Sequence, residues 1–329
     1  LFRSKVTTRY QTVILERTYY YPMLAVLAPG QGSQTPGFLT PWLESQFASD
    51  LLNSWSAAID LDLRRLGTTA DADEIRDTAN AQPLLVAGGL IGAGALFAGN
   101  GGSISYFAGH SVGEITAAAL AQVFDGASAM KLVRARGREM AIAAQGTETG
   151  MSAVLGGERD VVMAALSELG LTAANENGGG QIVAAGSLNA LAKLAENPPA
   201  GARVRPLAVS GAFHTATMSP AVSELANLAT QIEIKDAHTP VLSNKDGVVI
   251  SNGNEIIDRI VGQIAGPVRW DLCMEKLVEL GVTGVIEVPP AGTLVGLVKR
   301  AQPSIETFAL KTPDDLPGAK EFIEKHGGK

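Results

Sequence analysis

The fold is decided by the stretch Gly109-His110-Ser111-Val112-Gly113-Glu114. It follows a mostly apolar run, 104–108, that predicts a buried strand, and it precedes 115–120, which predicts a helix. The pattern Gly-x-Ser-x-Gly between a strand and a helix is that of a nucleophile elbow, a sharp turn that lifts a serine hydroxyl out of the fold. The first N–H groups of the following helix point at whatever binds that serine. The sequence therefore predicts that Ser111 is a nucleophile.

A nucleophilic serine needs a base, and the chain has four histidines. His110 adjoins Ser111, so we expect its side chain to point away from the tip of the turn. His326 lies in a polar C-terminal stretch, and His238 is predicted to lie in a loop before a strand. His214 follows an apolar strand and opens a helix, a junction at which the sites of α/β proteins lie. Elimination therefore favours His214 as the base.

Composition limits the classes of protein to which the chain can belong. With 329 residues, of which 46% are hydrophobic, it can form one large domain with an insertion, or two domains. A net charge of −7 argues against a nucleic-acid-binding protein. The single cysteine, Cys273, excludes a disulfide within the chain, and no Cys/His cluster has the spacing of a metal site. We therefore expect a cytoplasmic setting and no membrane or nucleic-acid partner.

The order of predicted elements indicates an α/β fold with a large, α/β-hydrolase-like domain and a mostly parallel sheet. The longest apolar run, 84–98, is too short to span a membrane and predicts a buried helix. Between 147 and 212 the predicted order is β-α-β-β-α-β, which is the ferredoxin-like arrangement. We predict an N-terminal extension at 1–22, a large domain at 23–146 and 213–316, an inserted small domain at 147–212 and a C-terminal tail at 317–329. The active site is expected in the cleft between the two domains.

A loop after the first predicted strand carries Gly30 and Gly32. Two glycines at this spacing could begin a dinucleotide-binding fingerprint, but Thr35 stands where its third glycine belongs. Backbone N–H groups in such a loop can instead complete an oxyanion hole. This second interpretation fits a serine nucleophile better.

Seven segments together resemble one family of acyltransferases. From Met23 to about Leu316 the chain resembles the malonyl-CoA:acyl carrier protein transacylases of fatty-acid and polyketide synthesis. Its sequence is similar to those of the actinobacterial members. The segments that carry the resemblance are 28–34, 81–83, 109–114, 134–137, 211–214, 263–270 and 287–294.

The resemblance implies a catalytic apparatus. Ser111 would be the nucleophile, and His214 would be the base, oriented by a backbone carbonyl near Gln263 in place of the aspartate of a triad. The backbone N–H groups of Gln31 and Val112 would form the oxyanion hole. The implied reaction is a ping-pong transfer of a malonyl group from malonyl-CoA to acyl carrier protein. It requires no metal or redox cofactor, and we expect the protein to be a monomer.

The resemblance also implies how the substrate is chosen. Arg136 would bind the malonyl carboxylate, since a guanidinium matches a carboxylate bidentately and keeps its proton. Asn175 and Gln263 would be further substrate-binding residues. Members that use malonyl units resemble this chain in having Phe before the base histidine, as Phe213 stands here, whereas members that use methylmalonyl units usually have Ser.

Two other functions remain open. One is a serine esterase or thioesterase of the α/β-hydrolase kind, although the His-Gly-Gly-Gly loop of many such enzymes is absent. The other is a non-catalytic subunit that docks a carrier protein. The presence of both Ser111 and His214 argues against this last interpretation.

Overall fold

The structure is a computed structural model that describes residues 22–98, 103–146, 148–209 and 211–327, which form a mixed α/β fold. Except for Pro22, the predicted N-terminal extension lies outside the described residues. The strands are β1 (Met23–Ala28), β2 (Tyr106–Gly109), β3 (Thr149–Gly156), β4 (Thr172–Gly178), β5 (Gln181–Ser187), β6 (Ala202–Pro206), β7 (Val241–Leu242), β8 (Val249–Ile250), β9 (Val268–Arg269), β10 (Val282–Glu287) and β11 (Glu306–Ala309). The α-helices are α1 (Gln46–Ile59), α2 (Leu63–Thr68), α3 (Ala72–Arg76), α4 (Thr78–Phe97), α5 (Gly113–Leu120), α6 (Gly126–Ala144), α7 (Arg159–Glu168), α8 (Leu188–Glu196), α9 (Ser219–Ala229), α10 (Gly253–Gly262), α11 (Trp270–Glu279), α12 (Thr293–Ala301) and α13 (Leu316–His326).

The first sheet has the strand order β11-β10-β1-β2-β7-β8. Its neighbouring strands run parallel except for the pair β7 and β8, which is antiparallel. The central strand β1 is buried from residue 24 to residue 28, as expected for a parallel sheet covered by helices on both faces. The prediction of a mostly parallel sheet is therefore confirmed.

The second sheet has the strand order β6-β3-β5-β4-β9. Within 149–206 the elements follow one another as β3-α7-β4-β5-α8-β6, and the neighbouring strands of this segment are antiparallel. The fifth strand, β9, comes from later in the chain and pairs parallel with β4. The second sheet therefore extends beyond the predicted boundaries of the small domain, because two residues from later in the chain complete its edge.

The predicted buried helix is longer than its apolar run. Residues 84–97 of the run belong to α4, which begins at Thr78, and by length and composition this helix could cross a membrane. The apolar run itself is shorter than a membrane span, as predicted, and only the whole helix reaches that length. However, 72% of its most apolar window is buried inside the protein, as the core position of α4 requires.

The C-terminal segment is not a polar tail. It forms α13, which contacts β10, β1 and α4. His326 on this helix is only 4% exposed, and its Nδ1 lies 2.9 Å from the hydroxyl of Thr283. The prediction of a tail at 317–329 is therefore wrong for the described residues, because α13 buries one face, including Ala319 and Ile323, against the first sheet.

Candidate active site

The turn between β2 and α5 holds Ser111 in a left-handed backbone conformation, with φ at 53°. A Cβ atom at Gly109 would lie 2.0 Å from the carbonyl of Gly113. A Cβ atom at Gly113 would lie 2.2 Å from the carbonyl oxygen of Ala28. Only glycine fits at either position, and the left-handed conformation of the serine costs on the order of 1–3 kcal/mol that the surrounding structure must offset.

His214 is hydrogen-bonded to the candidate nucleophile. Its Nε2 lies 2.7 Å from Ser111 Oγ, and its Nδ1 lies 2.9 Å from the backbone carbonyl oxygen of Gln263. The carbonyl can only accept, so Nδ1 donates a proton to it and Nε2 is left to accept the serine proton. Burial lowers the pKa of His214 to about 3, and the positive charge of Arg136 also lowers it. The imidazole is therefore neutral near pH 7, as a base must be.

Arg136 lies on α6 beside the serine and is 1% exposed. Its Nη1 donates to Gln82 Oε1 at 2.6 Å, and its Nη2 lies 3.0 Å from Gln263 Oε1 and 3.3 Å from Ser111 Oγ. Burial lowers its pKa to about 10, so the guanidinium stays charged at pH 7. Its buried Nε has no hydrogen-bond partner in the described structure. The site therefore holds a desolvated cation next to the nucleophile, which suits a substrate with a free carboxylate.

These three side chains open into a cavity of about 550 Å³ between the two sheets. Four other predicted site residues line it: Gln31, Val112, Asn175 and Phe213. One wall is apolar and is formed by Met140, Met151, Val183, Leu207 and Val209. Residues of both sheets line the cavity, since Asn175 belongs to the second sheet and Ser111 follows a strand of the first.

A known protein family matches most of the part of the chain that the structure describes. Residues 26–313 match the acyl transferase domain family. This chain belongs to the acyl transferase family. Curated relatives of this acyltransferase include the malonyl CoA-acyl carrier protein transacylase of Mycobacterium tuberculosis strain H37Rv, which is 51% identical over 296 residues, with 89% of this chain and 98% of that protein covered. The Bacillus subtilis protein of the same name is 33% identical, with 92% and 98% covered.

Solved structures show the same likeness. The crystal structure of MCAT from Mycobacterium tuberculosis matches with a TM-score of 0.86 and 50% identity, covering 91% of this chain and 99% of that one. A malonyl-transacylase solved in complex with a type II polyketide acyl carrier protein matches with a TM-score of 0.86 and 29% identity, covering 91% and 99%. The mixed α/β fold of the acyltransferase is therefore that of solved malonyl transacylases.

Gln263 occupies a different place from the one predicted for a substrate-binding residue. It is buried behind the cavity wall, where its side chain binds Arg136 and donates to Glu114 Oε2 at 2.5 Å. Its carbonyl orients His214, as the resemblance implies. Gln263 thus holds two site residues in place and does not line the cavity of the acyltransferase.

His110 lines the cavity without touching the serine hydroxyl. Its Nε2 lies 2.8 Å from Asn177 Oδ1, and its ring stands edge-on to that of Trp270. Burial lowers the pKa of His110. His110 therefore shares the cavity with Ser111, and the contact it makes there is with Asn177.

Three polar residues at the site are not among the functional residues predicted from the sequence. Gln82 binds Arg136, and Asn244 and Glu114 form hydrogen bonds around the elbow. Gln82 and Glu114 stand in segments that carried the family resemblance, so a signal for them existed. Asn244 is 133 residues from Ser111 in sequence, and only the pairing of β7 with β2 brings the two together.

Proposed function

We propose that this acyltransferase moves a malonyl group from malonyl-CoA to the phosphopantetheine thiol of an acyl carrier protein, through an ester on Ser111. The observation that carries the proposal is the buried Arg136, whose Nη2 lies 3.3 Å from Ser111 Oγ and whose Nε has no partner in the described structure. An acyl group that ends in a carboxylate would pair this charge, whereas a neutral acyl group would leave it unpaired. The names of the similar transacylases support the same substrates.

The first half of the reaction acylates the serine. His214 Nε2 takes the proton of Ser111 as Oγ attacks the thioester carbon of malonyl-CoA. The backbone N–H groups of Gln31 and Val112 stabilise the negative charge that develops on the carbonyl oxygen. When the tetrahedral intermediate collapses, the C–S bond breaks and CoA leaves as a thiol with the proton held by His214. Gln263 keeps the ring in the required tautomer throughout.

The second half reverses these roles with another thiol. His214 takes the proton of the phosphopantetheine thiol, whose sulfur attacks the malonyl ester on Ser111. Collapse breaks the ester bond and returns the proton to Ser111 Oγ. Neither half requires a metal or redox cofactor, because His214, the N–H groups and Arg136 supply all the proton transfers and charge stabilisation.

Asn175 and Phe213 shape the acyl pocket in this proposal, since both line the cavity and both are buried. The asparagine offers a hydrogen bond to the bound thioester, and the Phe213 ring limits the space beside the malonyl α-carbon. The α/β-hydrolase-like large domain and the ferredoxin-like insert at 147–212 are part of the same proposal, which the strand order β6-β3-β5-β4 supports.

We also propose the partners, the cellular location and the oligomeric state of the enzyme. Acyl carrier protein and malonyl-CoA are its partners, and a solved relative binds an acyl carrier protein. We propose a cytoplasmic monomer that binds no nucleic acid, in line with its net charge of −7.

Covalent labelling tests the proposal. Incubation with malonyl-CoA should add one malonyl group, mapped to Ser111 by peptide mass spectrometry, and Ser111→Ala should abolish it. Ser33→Ala is the matched control, because Ser33 lines the same cavity but binds Thr293 and not His214. Labelling that survives in Ser111→Ala and maps elsewhere would contradict the proposal, as would release of free malonate with no adduct under any condition.

A further inference from the structure

The elbow is held from outside by one side chain. Asn244 lies just beyond β7, the strand that pairs with β2, and it is fully buried. Its Oδ1 accepts the backbone N–H of Ser111 at 2.7 Å, and its Nδ2 donates to the carbonyl of Gly109 at 2.8 Å. A donor must face the carbonyl and an acceptor must face the N–H, so these two contacts fix the orientation of the amide. The side chain thus continues the ladder between β7 and β2 where the backbone of the elbow leaves the sheet.

Asn244 is in turn fixed by its own backbone. Its N–H donates to Glu114 Oε1 at 2.5 Å, and its carbonyl accepts the N–H of Arg269 at 2.7 Å. Glu114 is itself on α5, directly after the elbow. Burial raises the pKa of Glu114 to about 8, while the Asn244 N–H and the charge of Arg136 oppose this shift. The elbow is therefore tied to Asn244 on both sides of Ser111.

The same network reaches the other two site residues. Gln263 Nε2 lies 3.1 Å from Asn244 Oδ1, and Gln263 also contacts Arg136 and His214 as described above. Neither Asn244 nor Glu114 lines the cavity. A group that bonds to the nucleophile's backbone but has no access to substrate can affect the chemical step without contributing to binding.

We propose that Asn244 is a positioning residue that holds Ser111 in its left-handed conformation, with Oγ aligned on His214 Nε2. The inference rests on the proposed function for its reaction, but the alignment itself is a property of the serine and the histidine. Loss of the amide frees the Ser111 N–H and the Gly109 carbonyl inside the protein, and the turn relaxes towards an unstrained conformation. The serine hydroxyl then moves off the line to the imidazole.

Steady-state kinetics of Asn244→Ala test this. A reacting group displaced by about 1 Å loses on the order of a hundredfold in rate. We expect kcat for malonyl transfer to fall about tenfold to a hundredfold and KM for malonyl-CoA to change less than about twofold. Ser243→Ala is the matched control: this neighbouring buried hydroxyl accepts the Lys245 N–H at 3.3 Å and, among the described residues, has no bond to the elbow, Glu114 or Gln263, so kcat should be unchanged. An unchanged kcat in Asn244→Ala, or a rise in KM alone, would overturn the proposal.

A second variant decides the matter if Asn244→Ala does not fold. Asn244→Asp keeps the shape of the side chain, but an ionised carboxylate faces the Gly109 carbonyl with an oxygen. When protonated, its O–H donates to that carbonyl while the other oxygen accepts the Ser111 N–H. The groups around it are Glu114 of α5, Cys273 of α11 with Sγ 3.7 Å from Asn244 Nδ2, and, through Gln263, Arg136 of α6. The kcat of Asn244→Asp relative to wild type should therefore rise as the pH falls, and a ratio that is flat from pH 5 to pH 9 would overturn the proposal.

A serine-directed fluorophosphonate separates this inference from the proposed function. The reagent reports how well Ser111 is activated, whichever acyl group the enzyme transfers. Its rate of reaction should fall in Asn244→Ala by about the same factor as kcat. If wild type reacts with the fluorophosphonate but does not transfer malonyl groups, the proposed function fails alone. If the labelling rate is the same in wild type and Asn244→Ala, the positioning role fails alone.

Discussion

At the scale of single residues, we expect Arg136 to determine which acyl groups the enzyme transfers. Its charge is buried and only partly paired, so a malonyl carboxylate would complete its hydrogen bonds while an acetyl group could not. Removing one partner of a buried charge pair costs about 3–5 kcal/mol. In Arg136→Ala we expect kcat/KM for malonyl-CoA to fall by about two to four orders of magnitude, and that for acetyl-CoA to fall far less.

Arg138→Ala is the control for this change. Arg138 stands on the same helix but is exposed and pairs with Glu139. It should keep the preference for malonyl-CoA. An equal loss for both acyl groups in Arg136→Ala would show that this residue supports the structure or contacts CoA.

Phe213 is expected to discriminate against an extra methyl group. It lies in the cavity wall directly before His214 and is buried. A methyl group on the α-carbon would have to fit against the ring, and overpacking of this kind costs roughly 1–3 kcal/mol. Phe213→Ser should therefore raise the use of methylmalonyl-CoA relative to malonyl-CoA by about tenfold to a hundredfold. Competition between the two esters measures the ratio, and an unchanged ratio in a mutant with a normal melting curve refutes the role.

If His214 is the base, its pKa sets the lower pH limit of activity. An unperturbed imidazole loses its activity as a base when the pH falls through about 6.5. Burial lowers the pKa of His214 to about 3, so the ring stays neutral and active well below pH 6.5. We expect kcat/KM for malonyl-CoA to show no inflection between pH 5 and 8. A tenfold decrease per pH unit below 6.5, with circular dichroism unchanged, would contradict this assignment.

At the scale of elements, replacing glycine by alanine should have opposite effects on the free energy of unfolding at two positions. In Gly113→Ala the new Cβ would meet the Ala28 carbonyl at 2.2 Å, so α5 must move away from β1. In Gly94→Ala, within α4, no atom lies within 4 Å of the new Cβ. Gly113→Ala should lower the free energy of unfolding by at least about 1–3 kcal/mol and abolish activity. Gly94→Ala should raise it by about 0.5–1 kcal/mol.

Chemical denaturation of both variants checks this pair. If both variants had the same free energy of unfolding, α5 could shift without cost. The close approach of α5 to β1 would then not explain why residue 113 is a glycine.

The elements that the sequence predicted are those with strong local signals. The elbow was found because its glycines, strand and helix are contiguous. Helix α10 was missed, although Asn252 caps it by accepting the Glu255 N–H at 2.9 Å and its apolar residues follow a helical period. Strand β9 has only two residues and pairs with β4, about 90 residues earlier in the chain, so no local pattern could reveal it.

The same limit applies to the site. Ser111 and His214 were predicted from motifs, and the 2.7 Å between them agrees with that prediction. The places of Gln263 and Asn244 depend on contacts across more than 100 residues, which only the packed chain creates. Short sequence motifs can therefore predict the residues that react. The residues that position them can be identified only from contacts in the folded chain.

At the scale of the whole molecule, each of the two sheets contributes a different part of the cavity. The first sheet carries the elbow at the carboxyl end of β2, and the second sheet closes the cavity over it with Asn175. Strand β9 and the ion pairs of Arg269 with Glu176 and Asp271 join the two parts. We infer that malonyl-CoA and the carrier thiol enter the same cavity one after the other, and that each reacts at Ser111.

The most direct test of this account is a single-turnover chase. Malonyl-enzyme freed of malonyl-CoA is mixed with holo acyl carrier protein or, as a control, with the apo carrier that lacks the thiol. The account predicts rapid loss of the malonyl ester from Ser111 with equal gain of malonyl-carrier in the holo sample, and a persistent ester in the apo sample. Release of free malonate at the same rate in both samples would contradict it and would identify the protein as a hydrolase.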